Sequence, residues 1–255
     1  MSGPRPLALV TGASSGIGRE IARLVARDDY DLVLVSRDET KLGEVADECA
    51  AVGAKCLIVK EDLSVPGASA RVMKKIGGRD VDLLINNAGF GLHGSFWKTD
   101  AAAETAMVQT HVLAALDLSR AVLPGMVKRG SGSIVNVSSL YAFVPGPRQA
   151  VYAATKAFLF SLSLSLQAEL AGTGVTVTAV LPGPTRSEFH ARAGLGAKRG
   201  ATAESVARSA WRAAKAGRAL VVPGAGNKAF VALARLLPSA SLGPLMKTIN
   251  RARGV

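Results

Sequence analysis

Tyr152 and Lys156 stand four residues apart in Tyr152-Ala-Ala-Thr-Lys156, and Ser139 follows the apolar run Ile134-Val-Asn-Val137 upstream of them. A phenol with a pKa of about 10 is a poor proton donor near neutrality. A neighbouring ammonium favours the phenolate and lowers that value. Residues four apart on a helix share a face, so the spacing predicts Lys156 one turn beyond Tyr152. Ser139 is then placed to donate a hydrogen bond to a substrate oxygen as charge develops on it. A tyrosine acid/base, a lysine that tunes it and a hydroxyl that orients a carbonyl fit proton transfer coupled to hydride exchange at a carbonyl carbon. Tyr-x-x-x-Lys alone is a common surface pair of helices, and its context gives it meaning.

That context begins at Thr11-Gly-Ala-Ser-Ser-Gly-Ile-Gly18. The apolar residues 7–10 predict a buried strand and 17–26 a helix with apolar spacing. Gly12, Gly16 and Gly18 fall at the turn between them. Glycines there permit a tight turn and let the backbone approach a pyrophosphate, which meets the positive end of the helix. The spacing is Gly-x-x-x-Gly-x-Gly rather than the commoner Gly-x-Gly-x-x-Gly.

Strand-like runs recur at 7–10, 32–35, 55–59, 83–86, 133–137, 175–181 and 219–222, with helical segments between them. This alternation predicts a single doubly wound α/β domain over residues 1–255, with a mostly parallel seven-stranded sheet covered by helices on both faces. No repeat and no Pro-, Gly- or Ser-rich linker marks a second domain. The helix predicted over 151–170 carries Phe158, Leu159, Leu162 and Leu166 besides the Tyr–Lys pair. An apolar surface on more than one side calls for a second burial partner.

Taken together, Thr11–Gly18, Asn86-Asn-Ala-Gly89, Ser139, Tyr152-x-x-x-Lys156 and Pro182-Gly-Pro184 resemble the motif series of the short-chain dehydrogenases/reductases, in order and spacing, from residue 7 to about residue 188. The resemblance implies a Rossmann-type fold, a nicotinamide cofactor and an alcohol/carbonyl substrate pair. It implies that Tyr152 is the acid/base, that Lys156 also holds the nicotinamide ribose and that Ser139 positions the substrate oxygen. Cofactor contacts are implied for Gly12, Ser14, Ser15, Gly16, Ile17 and Gly18. Asn87, Ala88 and Gly89 would line the adenosine half, with Asp62 and Leu63 at the adenine edge. Pro182, Gly183 and Thr185 would meet the nicotinamide, Thr185 holding its carboxamide. The family's partner for the predicted 151–170 helix is often the same helix of another subunit, so a homodimer or homotetramer is expected.

One position departs from the pattern. The family usually has an asparagine twelve residues before the Leu-Pro pair that ends the fifth helix, and it is thought to hold a water in the proton relay behind the lysine. Here the pair is Leu123-Pro124 and the residue is His111. A histidine can offer either ring nitrogen as donor or acceptor, so two readings stay open: a substitute holder of the water, or a neutral packed ring.

Cofactor choice is read at the end of the second strand. In Asp31-Leu-Val-Leu-Val-Ser36-Arg37 a serine stands where a carboxylate would grip a ribose 2′-hydroxyl, and an arginine follows. Arginine suits a 2′-phosphate through bidentate charged hydrogen bonds. NADP(H) is therefore expected, with Asp38 and Glu39 as competing partners of Arg37.

The chain carries a net charge of +12, and its distribution is uneven. From residue 191 onward there are twelve Lys or Arg against one acidic residue, Glu204, which is +11 and leaves +1 for the rest. Such a field concentrates anionic partners. Arg192, Lys198, Arg199, Arg208, Arg212, Lys215 and Arg218 fall in or near a substrate lid expected over 185–218. Over 226–255, Leu242, Leu245, Met246 and Ile249 follow helical spacing, preceded by an apolar segment ending at Pro238. This basic amphipathic pair either contacts an anionic membrane surface peripherally or packs back as a roof over the cleft. Phe189, His190 and Leu195, with Phe90, Leu92, His93, Phe96 and Trp97, predict an apolar pocket.

Cys49 and Cys56 read as thiols, and no metal-ligand spacing appears. No apolar leader and no stretch long enough to span a bilayer is visible, so a cytoplasmic enzyme is expected. No recognition motif or aromatic-interleaved basic groove supports nucleic-acid binding. The expectation is an NADP(H)-dependent oxidoreductase for a lipophilic or acyl-thioester-like carbonyl. Its alternative is a catalytically weak NADP(H)-binding or scaffold protein at a membrane surface.

Overall fold

The computed structural model describes residues 5–186 and 200–252. Seven strands form one sheet: β1 (Leu7–Thr11), β2 (Asp31–Ser36), β3 (Cys56–Lys60), β4 (Leu83–Asn86), β5 (Gly132–Val137), β6 (Val175–Val180) and, after a separate pair, β9 (Leu220–Val221). Their order is β3-β2-β1-β4-β5-β6-β9 and every pairing is parallel. The chain runs outward from β1 on one side and from β4 on the other. The crevice at the carboxyl ends of these two strands is where such a sheet binds ligands.

The strands are apolar on both faces because both are covered. Ala8 and Val10 of β1 point into a layer with Ile21, Ala22 and Val25 of α1 (Gly16–Arg27) and Ala207, Ala210 and Trp211 of α7 (Ala203–Lys215). Leu7 and Leu9 point the other way, onto Val72 and Ile76 of α3 (Ala68–Ile76) and Leu118 and Val122 of α5 (Ala114–Arg129). Helix α2 (Glu39–Ala50) completes the first layer, capped by Asp38, whose carboxylate accepts from Lys41 N.

Three features were not anticipated. Pro124 lies inside α5, which continues to Arg129, so the Leu-Pro pair does not end the helix. A π-helical turn, Gln109–Leu113, joins α4 (Ala101–Val108) to α5 and buries Thr110 and His111. Such turns often accompany functional sites. A short ladder pairs β7 (Thr185–Arg186) with β8 (Ala201–Thr202).

The chain end is explicit. Helices α8 (Ala225–Leu236) and α9 (Ser239–Ala252) pack back onto the domain. Leu242, Met246 and Ala234 are buried with Val144, alongside Phe230, Ile249, Tyr141 and Phe143. The roof alternative therefore accounts for Phe230, Leu242, Met246 and Ile249, while Leu233, Leu236 and Leu245 remain exposed. Among the described residues no helix is long and apolar enough to cross a membrane.

Candidate active site

The catalytic candidates meet where β5 ends and α6 (Ala150–Glu169) begins. Ser138 donates to the Lys156 carbonyl at 2.6 Å, which ties the strand end to the helix. Deeper, Asn86 donates to Asn136 Oδ1 at 2.8 Å, and Asn136 donates to Ser163 Oγ at 2.9 Å. These buried bonds hold α6 against β4 and β5 and so fix the height of its first turns. Ser139 caps a short 3₁₀ turn, Leu140–Ala142, accepting from Tyr141 N.

On this frame Ser139 and Tyr152 are hydrogen-bonded through their side chains. The Tyr152 ring stands edge-on to His111 at 5.8 Å and to Tyr141 at 6.0 Å. Lys156 Nζ donates to the Val137 carbonyl at 2.9 Å and lies 5.7 Å from the Tyr152 ring centre. The three residues predicted from spacing are thus brought together.

Their electrostatics correct one expectation. Burial pushes the Tyr152 hydroxyl up to about 12, against the Ser139 hydrogen bond, which pulls it down. Burial also lowers Lys156 to about 8. Desolvation disfavours the charged form of each group. Here it outweighs the pull of the ammonium, because Lys156 directs its hydrogen bond at Val137. At neutral pH this site holds a protonated phenol above a lysine that is still mostly charged.

His111 is a neutral packed ring. Its Nε2 accepts from Phe90 N at 3.0 Å, and its Nδ1 is 2.9 Å from Thr155 Oγ1, which itself donates to the Tyr152 carbonyl at 2.8 Å. This chain of bonds requires the proton on Nδ1. Burial, with the charge of Lys156 second, holds the imidazole well below its ordinary pKa. Both nitrogens are used within the protein, so the reading of His111 as holder of a relay water is corrected. The ring instead joins the 90s loop to the first turn of α6.

The glycine turn is held by residues from β4. Thr11 Oγ1 donates to the Ile85 carbonyl and accepts from Asn87 N and Ala88 N at 3.0 and 3.1 Å. Asn87 Nδ2 donates to the carbonyls of Thr11 and Gly12 at 3.1 and 3.2 Å. Asn87 therefore locks the turn in addition to lining the cleft. Gly12 has φ +65°, and a Cβ there would come within 2.9 Å of Ala88 Cα. At Gly18 a Cβ would lie 2.2 Å from the Gly12 carbonyl oxygen, so this glycine permits close packing of helix on turn.

One continuous cavity of about 1480 Å³ runs across the crevice. Ligand pockets commonly occupy about 300–1,000 Å³, so this one has room for two ligands end to end. Its walls include every cofactor residue predicted from sequence except Gly18, which is packed beneath the turn; His111 also lies off the wall. Arg37 and Asp62 stand at one end, their side chains 3.8 Å apart. Glu39 pairs with Lys60 and Asp38 caps α2, so neither competes for Arg37. Asp62 Oδ1 accepts from the Ser64 backbone and hydroxyl. At the other end Thr185 is buried and donates to the Gly183 carbonyl at 2.9 Å.

The apolar pocket was only partly foreseen. Of the 90s loop, Phe90 lines the cavity, whereas Leu92 and His93 do not and Phe96 and Trp97 are exposed on the surface. Phe189, His190, Leu195, Arg192, Lys198 and Arg199 lie outside the described residues. Sequence reasoning missed Tyr141, Val144, Gln149 and Asn250, which line the substrate end with Phe230 and Met246. The helical spacing of 242–249 and the apolar segment before Pro238 were the signals that pointed toward that roof.

Comparison with known proteins agrees with this geometry. Residues 6–197 match the family model for short chain dehydrogenase. A ketoacyl reductase, HetN, of Nostoc sp. is 38% identical over 178 residues, 69% of this chain and 62% of the relative's length, so this chain spans less than two thirds of that protein. A short-chain dehydrogenase from Sphingobium yanoikuyae in complex with NADPH is 32% identical, with a TM-score of 0.82 over 92% of this chain and 97% of the other. A bulky-bulky ketone specific alcohol dehydrogenase from Comamonas testosteroni is 30% identical, with a TM-score of 0.80 over 91% and 93% of the two chains.

Proposed function

Because the chain belongs to the short-chain dehydrogenase/reductase family, we propose that it is an NADP(H)-dependent oxidoreductase that interconverts a lipophilic ketone and its alcohol. One observation carries the reading: Ser139 and Tyr152 are hydrogen-bonded at the cavity wall with Lys156 one turn below. A substrate carbonyl oxygen that takes the place of this internal bond receives two donors, the serine hydroxyl and the phenol. With its hydroxyl at about 12, Tyr152 is protonated at neutral pH and is set to give its proton to that oxygen. The two hydroxyls also stabilise the negative charge that builds there. Lys156 supplies positive charge beneath the phenolate left behind.

The cavity fits a dinucleotide: a turn whose Gly12 leaves no room for a Cβ, a helix N-terminus at Gly16 and a continuous wall from Arg37 to Thr185. The nicotinamide cofactor supplies the hydride when bound. Gly12, Ser14, Ser15, Gly16 and Ile17 would hold its pyrophosphate, Asp62 and Leu63 its adenine, and Pro182, Gly183 and Thr185 its nicotinamide. Arg37, with no carboxylate at Ser36, favours a 2′-phosphate. The NADPH complex of the Sphingobium relative supports the same preference. The Nostoc ketoacyl reductase and the Comamonas ketone enzyme support a ketone substrate. Helices α8 and α9 act as the roof of the substrate end rather than as a membrane anchor. Exposed Leu113 and Phe158, on the π-helical turn and α6, offer a surface for a homodimer or homotetramer in the cytoplasm.

The test is NADPH oxidation with a panel of ketones. Tyr152→Phe removes only the proton donor, so cofactor binding stays within about twofold while turnover falls on the order of 10²–10⁴-fold. A Phe variant that keeps near-normal turnover refutes the mechanism.

A further inference from the structure

Gln149 is 6% exposed as a residue and lines the cavity, and its carboxamide does not cap the helix it precedes. Its backbone is tied down: its N–H donates to the Gly146 carbonyl at 2.8 Å and its carbonyl accepts from Ala153 N at 2.9 Å. It stands at the N-cap of α6 without acting as a side-chain cap, and it lines the same cavity as Tyr152, one helical turn on. On the cavity wall the amide is open to a ligand, which would exchange its hydration for a direct hydrogen bond without displacing a protein bond.

The surroundings narrow what that ligand carries. The wall beyond the catalytic residues includes Phe90, Leu140, Val144, Phe230 and Met246, with Tyr141, Asn227 and Asn250 as polar groups, and Asn227 donates to the Pro223 carbonyl at 2.6 Å. Tyr141 and Asn250 already serve each other: the phenol donates to Asn250 Oδ1 at 3.3 Å, and Asn250 donates to the Pro147 carbonyl at 3.4 Å. Apart from Lys156, no described residue at this end carries a charge; the other charged wall residues cluster at the Arg37 end. Among the described residues nothing but Lys156 compensates a buried charge at this end, and burying an uncompensated carboxylate or ammonium is costly.

We propose that Gln149 is a specificity-determining residue. Its carboxamide donates to a second, uncharged oxygen of the substrate, close to the carbonyl that Tyr152 protonates, so the preferred substrate class is a neutral ketone with an adjacent acyl oxygen, such as a 3-oxo ester or thioester. This rests on the oxidoreductase reading above. An anionic handle on such a substrate lies outside the cavity, toward the basic surface.

A matched pair of neutral probes tests it: ethyl butyrylacetate, and propyl pentyl ketone, which has the same chain length without the second carbonyl. The wild type prefers the keto ester, and Gln149→Leu lowers kcat/KM for the ester about 10- to 100-fold while changing the plain ketone less than about threefold. A residue that merely supports the fold would depress both equally, and an equal loss on both probes, or no loss on the ester, overturns this inference while leaving the oxidoreductase reading intact. Absence of any wild-type turnover on either probe with NADPH or NADH overturns both. Gln149→Asn, which keeps the amide on a shorter stem, recovers part of the ester preference; a recovery confined to the plain ketone counts against the proposal.

Discussion

Lys156 is a charged group held in a place that disfavours charge, and the cost is measurable. It is 5% exposed, and burial lowers its pKa from 10.5 to about 8. Each tenfold loss of proton affinity is about 1.4 kcal/mol, so keeping the ammonium in the fold costs about 3 kcal/mol below pH 8. The sign follows from proton binding. The unfolded chain holds the proton more tightly, so stability rises with pH between about 8 and 10.5 and the full penalty stands below that window. Between pH 7 and pH 9 the penalty shrinks by about 1.3 kcal/mol. Lys156→Met keeps an unbranched stem of similar length and has no charge to titrate. It also leaves the Val137 carbonyl without its donor, a cost that does not vary with pH. The stability of the Met variant relative to the wild type is therefore greater at pH 7 than at pH 9 by about 1.3 kcal/mol, or roughly 3–5 °C in Tm for a domain of this size. Urea melts of both proteins at the two pH values measure the double difference, in which titrating groups that do not feel Lys156 cancel. A gap that is the same at both pH values, or larger at pH 9, refutes the claim that burial dominates the lysine. The same titration makes wild-type turnover fall as pH rises through about 8.

Other consequences are direct. Arg37→Ala weakens NADPH binding about tenfold, the low end for a charge-assisted contact given its exposure, and leaves NADH unchanged; equal affinity of the wild type for both cofactors removes the assignment. Gly18→Ala, whose Cβ would press on the Gly12 carbonyl and Asn87, destabilises by about 1–3 kcal/mol and weakens either cofactor, as melts and fluorescence titration report. The roof helices use their apolar faces internally, so attachment to anionic vesicles at low salt is electrostatic and is abolished at about 0.5 M salt, where the Debye length is only a few ångströms; salt-resistant sedimentation with the vesicles instead restores a membrane role for Leu233 and Leu236.

The chemistry was legible in the sequence where it is encoded by short-range spacing. Tyr152 and Lys156 are one helical turn apart whatever the rest of the chain does. The glycine turn announces itself because only glycine tolerates the positive φ of Gly12 and the approach at Gly18. The parallel sheet was legible because strands buried on both faces leave no polar alternation to confuse with a surface strand. The position of Arg37 at the cleft could be read from its place just after β2, but not its facing partner there, Asp62, which lies beyond β3 in the chain.

What the sequence hid depends on groups brought together from afar. Spacing put an ammonium near a phenol, but the balance between attraction and desolvation depends on how deeply both are buried and on which carbonyl the ammonium meets first. Val137 is nineteen residues from Lys156, and its claim on Nζ leaves Tyr152 protonated. His111 could not be assigned a role without knowing that Phe90 and Thr155 take its two nitrogens. Gln149 has an ordinary composition and an ordinary position; it becomes informative only when α9, about a hundred residues downstream, closes the cavity and Asn250 is already engaged with Tyr141 and Pro147. The contrast is physical. A catalytic pair must keep fixed local geometry and so leaves a pattern. A specificity contact needs only one uncommitted polar group on a mostly apolar wall, and which groups reach that wall is a property of the folded cavity and of no short stretch of chain.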